Sequence, residues 1–509
     1  MSNERVATGD ESTGGWATGP SATGPSATGG RTTGPVSRRE FLARHAGGVG
    51  AFALASLLER DRLLAAPAKP GENLPLDLRA RQPDRPARAT AMISLFMHGG
   101  PSHVDLLDPK PELSRLSGRD YGDQIVFSFV NRASKKLFGS PYRFRRHGQS
   151  GAEVSELLPH FAKIVDDVAI VRSMHTGHNG HEVSIRYFHG GVAGVTGRPT
   201  MGSWIAYALG SAADNLPAYM VLADPDGHPV DGVWNWSSGF MPPLYQGTVL
   251  RPQEPRIFNL DPPPRLQGTL QRQNLALLDA LNRRYAQQHA GEAELEARIA
   301  SYELAAAMQT AAKEALDLRQ EPEYIRRLYG LDRDETRSYG ERCLLARRLV
   351  ERGVRFVQLF LGGQPWDNHS SLRTALPAIC RRTDQPAAAL VADLKQRGLL
   401  DTTIVHWGGE IGRLPVCEGE LNADAGRDHN GQGFSIWLAG GGVRPGVTYG
   451  ATDEVGHRAV TDVVTPNDFQ ATVLHLLGID HTALAYYSNG RAQRIVDGRP
   501  ARVVQQLCG

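Results

Sequence analysis

The feature that most constrains this fold is a buried strand that ends in polar residues. The run 354–361 is apolar, rich in β-branched and aromatic residues, and followed by two glycines. Asp367 and His369 follow within eight residues of its end. Ligand sites in α/β proteins lie at the carboxyl ends of strands. A carboxylate and an imidazole two residues apart at such an end can bind one metal ion.

A second apolar run, 91–97, leads into a tight turn that is crowded with polar groups. The candidate residues there are His98, Ser102, His103 and Asp105. A serine beside metal-binding groups can act as a nucleophile when its alkoxide is stabilised, so Ser102 is the candidate nucleophile. The alternative is that Ser102 caps a helix or turn while Asp105 makes local backbone bonds. His98, His103 and Asp105 are possible additional ligands.

The densest imidazole cluster follows the strand-like run 168–171. It places His175, His178 and His181 within seven residues, interleaved with glycines. Histidine is the commonest metal ligand and the usual proton carrier. We assign His181 a catalytic role and treat His175 and His178 as possible further ligands. The alternative is that these rings only bind substrate or line a hydrated loop.

Two more groups of candidate ligands lie near strands in the last third of the chain. The run 403–407 ends in two glycines and Glu410, and a carboxylate at such an end suits a divalent cation. The alternative for Glu410 is an ion pair with Arg413. Asp428 and His429 stand in a polar turn before the run 434–439, an arrangement typical of a ligand and the group that orients it.

Alternating strand and helix patterns predict an α/β fold. We expect a mostly parallel central sheet flanked by helices on both faces. The main domain should span 91–485, with an irregular insertion at 224–264, a helical cap at 271–335 and a C-terminal tail at 486–509. In the insertion, Trp234 and Trp236 either stack on a sugar ring or pack internally. In the cap, apolar residues including Tyr302 recur at three- and four-residue steps.

The composition and motifs of the first 90 residues predict that the protein is exported. Residues 1–36 are low in complexity and should be disordered. Residues 37–68 combine Arg38-Arg39, a mildly apolar run of about a dozen residues and small residues for cleavage, as in a twin-arginine signal. That run is shorter than the roughly 20 residues of a membrane span. The alternative is a chance arginine pair before an amphipathic helix. Residues 69–90 should form a linker or wrapping arm.

These features predict a periplasmic or secreted protein whose partners include the twin-arginine export machinery, with no stable transmembrane span. The formal net charge of +2 gives no support for binding to nucleic acid.

In order, the motifs HGGPSHVD, SMHTGHNGHE, GGQPWDNH, HWGGEIGR and GRDHN resemble those of the bacterial domain-of-unknown-function family 1501. That family is placed in the alkaline phosphatase-like superfamily, with sulfatases and phosphodiesterases. The resemblance implies an alkaline phosphatase-like sheet with one or two divalent ions at its carboxyl edge. Zinc is the expected metal, with manganese, calcium or magnesium as alternatives. By motif order, Asp367, His369, Glu410 and His429 with Asp428 resemble the ligands, and Ser102 lies nearest to the nucleophile.

The function that this resemblance implies is metal-dependent hydrolysis of phosphate or sulfate esters, in small-molecule or polymeric substrates. The Cys/Ser-x-Pro-x-Arg motif of sulfatases is missing from the sequence, which argues against a formylglycine sulfatase. The alternative function is that of a catalytically degenerate relative that binds a glycan, a sulfated polymer or a protein partner.

Overall fold

The computed structural model describes residues 73–122, 125, 133–213, 215–289 and 293–509. The strands are β1 (Ala91–Phe96), β2 (Ala133–Leu137), β3 (Phe144–His147), β4 (Ala152–Ser155), β5 (Val168–Met174), β6 (Tyr219–Leu222), β7 (Thr248–Leu250), β8 (Phe356–Phe360), β9 (Thr403–Gly408), β10 (Gly412–Arg413), β11 (Val416–Glu418), β12 (His429–Asn430), β13 (Phe434–Ala439), β14 (Val447–Tyr449), β15 (Ala451–Thr452), β16 (Ala459–Thr461), β17 (Tyr486–Ser488) and β18 (Arg491–Gln493). The helices are α1 (His103–Leu106), α2 (Pro111–Arg115), α3 (His181–Gly190), α4 (Met201–Leu209), α5 (Thr269–Gln288), α6 (Ala293–Leu316), α7 (Glu323–Leu328), α8 (Asp334–Glu351), α9 (Leu372–Gln396) and α10 (Pro466–Leu476).

Eight strands form the central sheet, in the order β14-β5-β13-β9-β1-β8-β6-β7. Strand β1 pairs in parallel with β8 and with β9, and β6 pairs in parallel with β7 and β8. Strand β13 is antiparallel to both of its neighbours, β5 and β9, so seven strands share one direction. The predicted α/β class with a mostly parallel sheet is therefore confirmed.

Successive side chains of each strand point to opposite faces of the sheet, and helices cover both faces, so both are buried. In β1, Ile93 and Leu95 join one hydrophobic cluster, which includes side chains of α8 and α9. Met92 and Phe96 join the other cluster, which includes side chains of α4 and α10. The two clusters fix the sheet between two helical layers, as the sequence predicted.

The irregular insertion predicted at 224–264 is wrong in one respect, because it contains a strand of the main sheet. Strand β7 pairs with β6 through Met220–Thr248 and Leu222–Leu250 and forms the sheet edge. Three residues are too few to show an alternating pattern, and the surrounding prolines and glycines favour a loop prediction.

Segments on either side of the domain also pack against it. Leu74, Leu76 and Leu78 contact the core cluster on the α4 and α10 face, where Val504 and Leu507 from the end of the chain are buried. The predicted cap region contains α5, α6 and α7. The predicted disordered segment and twin-arginine signal lie outside the described residues. Among the described helices, none is long and apolar enough to cross a membrane.

Candidate metal centre

Strand ends that point the same way bring the candidate residues to one edge of the sheet. His98 follows β1, Asp367 follows β8, and Glu410 follows β9. These three strands are adjacent and parallel, so their carboxyl ends coincide. His181 begins α3 after β5, which runs in the same direction. The topology therefore brings residues that are distant in sequence into one cluster.

A glycine turn lets the end of β1 approach this cluster closely. Gly99 has a φ of 108°, and an added Cβ would lie 2.8 Å from the backbone nitrogen of Asp367. A side chain there would clash with the loop that carries the carboxylate. The Gly99 amide also donates to the Glu410 carboxylate at 3.1 Å. The turn thus joins the ends of β1, β8 and β9.

Asp367 lies at the centre of the cluster. The Nε2 atoms of His369 and His429 each lie 3.0 Å from its Oδ1. The Nε2 atom of His181 lies 3.4 Å from its Oδ2. The buried guanidinium of Arg413 also contacts the Asp367 carboxylate. Three imidazoles and one arginine therefore surround a single carboxylate.

Each of the three imidazoles is held through its Nδ1 atom by an acceptor. His181 Nδ1 donates to Glu410 at 2.6 Å, and His429 Nδ1 donates to the carbonyl oxygen of Asn179 at 2.7 Å. His369 Nδ1 contacts the carboxylate of Glu418. In the neutral ring, these bonds place the proton on Nδ1 and leave the Nε2 lone pair directed inward. An outer acceptor on the far nitrogen is typical of histidines that bind metal.

The contact between two of these rings requires a positive charge. The Nε2 atoms of His369 and His429 lie only 2.9 Å apart, and both carry lone pairs if the rings are neutral. A proton or a metal ion must therefore separate them. Two groups of residues each offer three donor atoms that lie within 4.8 Å of one another. The first group is His181, Asp367 and His429, and the second is His369, Asp428 and His429. Imidazole nitrogen with carboxylate oxygen is a ligand set that suits zinc, so the residues fit the expected ion.

The titration behaviour follows from burial and from these hydrogen bonds. Burial lowers the pKa of His181, but the bonds to Asp367 and Glu410 outweigh it and raise that pKa to about 9. Burial raises the pKa of Asp367, while the bonds from the three histidines bring it below its ordinary value. Burial lowers the pKa of His429. A proton and a metal ion therefore compete for the same imidazole nitrogens.

Glu410 contacts the cluster through His181, and its side chain is fully buried. The alternative ion pair between Glu410 and Arg413 is not what the structure shows, because Arg413 contacts Asp367 instead. His98 is also buried beside the cluster, with its ring centroid 6.3 Å from that of His181. Neither ring nitrogen of His98 has a hydrogen-bond partner among the described residues.

Ser102, His103 and Asp105 lie in a separate cluster at the first turn of α1. The Ser102 hydroxyl donates to Asp105 Oδ2 at 2.5 Å, and Arg427 binds both oxygens of Asp105 at 2.8 and 3.1 Å. His103 Nε2 lies 2.7 Å from the carbonyl oxygen of Gly456. Ser102 is only 2% exposed. In this structure, Ser102 is buried and its hydroxyl donates to Asp105, not to Asp367.

The two remaining histidines of the predicted cluster lie outside both donor groups. His175 Nδ1 lies 3.2 Å from the carbonyl oxygen of Gln432. The His178 ring packs edge-on against Tyr187, with centroids 6.5 Å apart. Sequence reasoning missed Glu418 and the role of Arg413. Neither has a local signature, since Glu418 meets His369 across 49 positions of the chain.

The fold and this cluster define an α/β protein with a candidate metal centre at the carboxyl edge of its sheet. The chain belongs to the family DUF1501, described as a protein of unknown function, whose profile matches residues 89–508. Comparison with curated proteins gives no sequence match.

Several solved structures show a distant similarity. One is the lipoteichoic acid synthase LtaP from Listeria monocytogenes, with 8% identity, 80% of this chain and 74% of that chain covered, and a TM-score of 0.34. Another is the alkaline phosphatase from the Antarctic bacterium TAB5, with 8% identity, coverage of 76% and 98%, and a TM-score of 0.31. A third is the phosphonate monoester hydrolase SpPMH from Silicibacter pomeroyi, with 11% identity, coverage of 68% and 71%, and a TM-score of 0.30. Scores this low support no inference about the activity of this chain.

Proposed function

We propose that this protein is a metal-dependent hydrolase of phosphate or sulfate esters that acts outside the cytoplasm after twin-arginine export. One observation carries the proposal. The Nε2 atoms of His181, His369 and His429 surround the Asp367 carboxylate, and an outer acceptor holds each Nδ1. Imidazole nitrogens around a carboxylate, each ring fixed by an acceptor on its far nitrogen, form a donor set that a metal ion can complete.

The ion would be held by His181, Asp367 and His429, with His369 and Asp428 offering a second group around the shared His429. Zinc is the proposed ion because its preferred ligands are imidazole and carboxylate. When bound, such an ion supplies Lewis-acid chemistry that neutralises charge on a transferring phosphoryl or sulfuryl group. In this proposal His181 is a ligand as well as a titratable group, and Glu410 orients it.

Ser102 remains the proposed nucleophile. Its hydroxyl already donates to Asp105, and a neighbouring base that accepts the hydroxyl proton activates an attacking oxygen. Attack on a substrate would require the Ser102 oxygen to pass its proton to Asp105 and then turn toward Asp367. The substrate is a small-molecule or polymeric ester.

The test combines metal content with activity. We expect the purified protein, loaded with zinc or manganese and desalted, to retain at least one ion per chain by elemental analysis. His429→Gln should weaken retention at least about tenfold because His429 belongs to both donor groups. His475→Gln, which changes a histidine on α10 outside both groups, is the matched control.

The loaded protein is then assayed with aryl phosphate monoesters, aryl phosphate diesters and aryl sulfates. Activity that follows the metal, and that Ser102→Ala removes without loss of the ion, is the expected result. If activity is unchanged in Ser102→Ala, the nucleophile is water and not Ser102. If the wild-type chain retains none of zinc, manganese, calcium and magnesium, the metal centre is wrong.

A second candidate function is binding without catalysis, to a glycan or a sulfated polymer. The burial of Ser102 favours it, as does the exposure of Trp234 and Val233 in the insertion, at 45% and 59%. This function predicts polymer binding that survives removal of metal by a chelator, together with inactivity on all three ester classes. Binding that disappears with the metal would contradict it.

A further inference from the structure

Helix α5 exposes a continuous apolar stripe. Of its twenty described residues, none is buried. Leu270, Leu277, Leu281 and Tyr285 are between 45% and 60% exposed, and their spacing puts them on one side of the helix. Most helical stability in proteins comes from tertiary packing of an amphipathic face, which this stripe lacks within the described residues. Exposed apolar patches of this kind mark interaction sites.

A groove lies between α5 and α6, beside this stripe. Its volume is about 850 Å³, and its lining includes Phe258, Leu278 and Tyr302. These three side chains are themselves 64%, 54% and 65% exposed. Each chain therefore carries an apolar ridge and an apolar groove on adjacent sides of α5.

The two helices carry opposite charge. Helix α5 contains three arginines and one aspartate, whereas α6 contains four glutamates, one arginine and one lysine. Arg284 is exposed and flanks the apolar stripe on α5. Glu296 and Glu303 are exposed on one side of α6, seven residues apart. A surface with both charges suits a partner with the same two charges in the opposite order.

We propose that the α5–α6 surface binds the same surface of a second copy of this chain. A two-fold axis would place the ridge of each copy in the groove of the other and bring Arg284 near Glu296 and Glu303 of the partner. Such an interface is isologous, and two helical hairpins that meet in this way form a four-helix bundle. An anionic membrane is disfavoured as the occupant because the acidic side chains of α6 would be repelled by it.

Sedimentation equilibrium of the purified protein at up to 100 μM tests this proposal. We expect a dimer for the wild type and a monomer for the double variant Leu277→Glu/Leu281→Glu, with dimer affinity reduced at least 100-fold. Both residues are exposed and α5 buries none of its side chains, so the variant should keep its fold, as judged by circular dichroism. Val460→Glu, at a 59% exposed apolar residue on β16, is the matched control and should remain dimeric.

Charge reversal tests the orientation of the interface. Arg284→Glu should weaken the dimer, and adding Glu296→Arg with Glu303→Arg should restore it. A monomeric wild type at 100 μM, or a double leucine variant that is still dimeric, would overturn the proposal. A monomeric wild type that floats with vesicles containing phosphatidylglycerol would assign the surface to a membrane and overturn it as well.

Discussion

Glu418 should control metal affinity although it is not a member of either donor group. Its carboxylate accepts the Nδ1 proton of His369 and so directs the opposite nitrogen inward. Glu418→Gln removes the charge but keeps the shape, and acceptors of this kind typically contribute 10- to 100-fold to metal affinity. We therefore expect zinc affinity to fall by about that factor in a titration against a competing chelator.

Glu420→Gln is the matched control, because Glu420 is an exposed glutamate two residues further along the chain. It should bind zinc like the wild type. Equal affinities for Glu418→Gln and the wild type would show that His369 is oriented by something else or does not bind the ion.

Much of the candidate centre follows from residue order at strand ends. Asp367 and His369 after one buried run, and Glu410 after another, were predicted to meet because parallel strands end at a common edge. The structure brings all three into one network with His429. The outer acceptors could not be predicted in this way, since Glu418 and the Asn179 carbonyl are selected by tertiary packing and not by any local pattern.

At the scale of elements, the side chain of Asp384 connects α9 to a 3₁₀ turn near Phe161 by hydrogen bonds. It lies on α9 and accepts the backbone N–H groups of His160 and Phe161, at 2.7 and 2.9 Å, where a 3₁₀ turn begins. Burial raises the pKa of Asp384 to about 7, even though these two hydrogen bonds oppose the shift. The folded state therefore binds this proton more tightly than the unfolded state, in which the pKa is near 3.8.

We expect Asp384→Asn to remove a pH dependence of stability. A raised folded-state pKa stabilises the fold fully below about pH 4, and that contribution is lost as the pH rises to about 7. One pKa unit corresponds to about 1.4 kcal/mol, so the loss is about 4 kcal/mol at most. Urea unfolding at several pH values measures the free energy of unfolding of the wild type minus that of the variant, which should fall as the pH rises from about 4 to about 7.

The control for this prediction is Asp401→Asn, at an exposed aspartate, which should leave the pH profile of the wild type unchanged. A constant free-energy difference between wild type and Asp384→Asn across this pH range would contradict the assignment of Asp384.

Element prediction succeeded where hydrophobic patterns are long and failed where they are short or unpartnered. Strand β13 has the bounds that the apolar run 434–439 predicts. The three residues of β7 carry no readable period, so an edge strand was missed. In α6, Tyr302 belongs to an apolar pattern that predicts a buried face, yet it is 65% exposed. A pattern shows that a face is apolar but does not identify what covers it.

At the scale of the whole molecule, the arrangement of the fold suits export in the folded state. Some of the chain segments that form the candidate centre are separated by more than 200 positions, as with His181 and Glu410, and they meet only in the finished sheet. In the proposed function, the metal ion would therefore bind only after folding is complete. A twin-arginine route, which carries folded proteins, would allow the ion to be acquired before export.

The double substitution Arg38→Lys/Arg39→Lys tests this route. Both arginines belong to the predicted signal at 37–68, and lysines keep the charge but remove the guanidinium pair that defines the motif. We expect the variant to accumulate in the cytoplasm at full length, whereas the wild type reaches the periplasm, as measured by cell fractionation and immunoblotting. Arg60→Lys/Arg62→Lys, on the far side of the apolar run, is the matched control and should be exported normally. Export of the Arg38→Lys/Arg39→Lys variant at the wild-type level would show that the arginine pair stands there by chance.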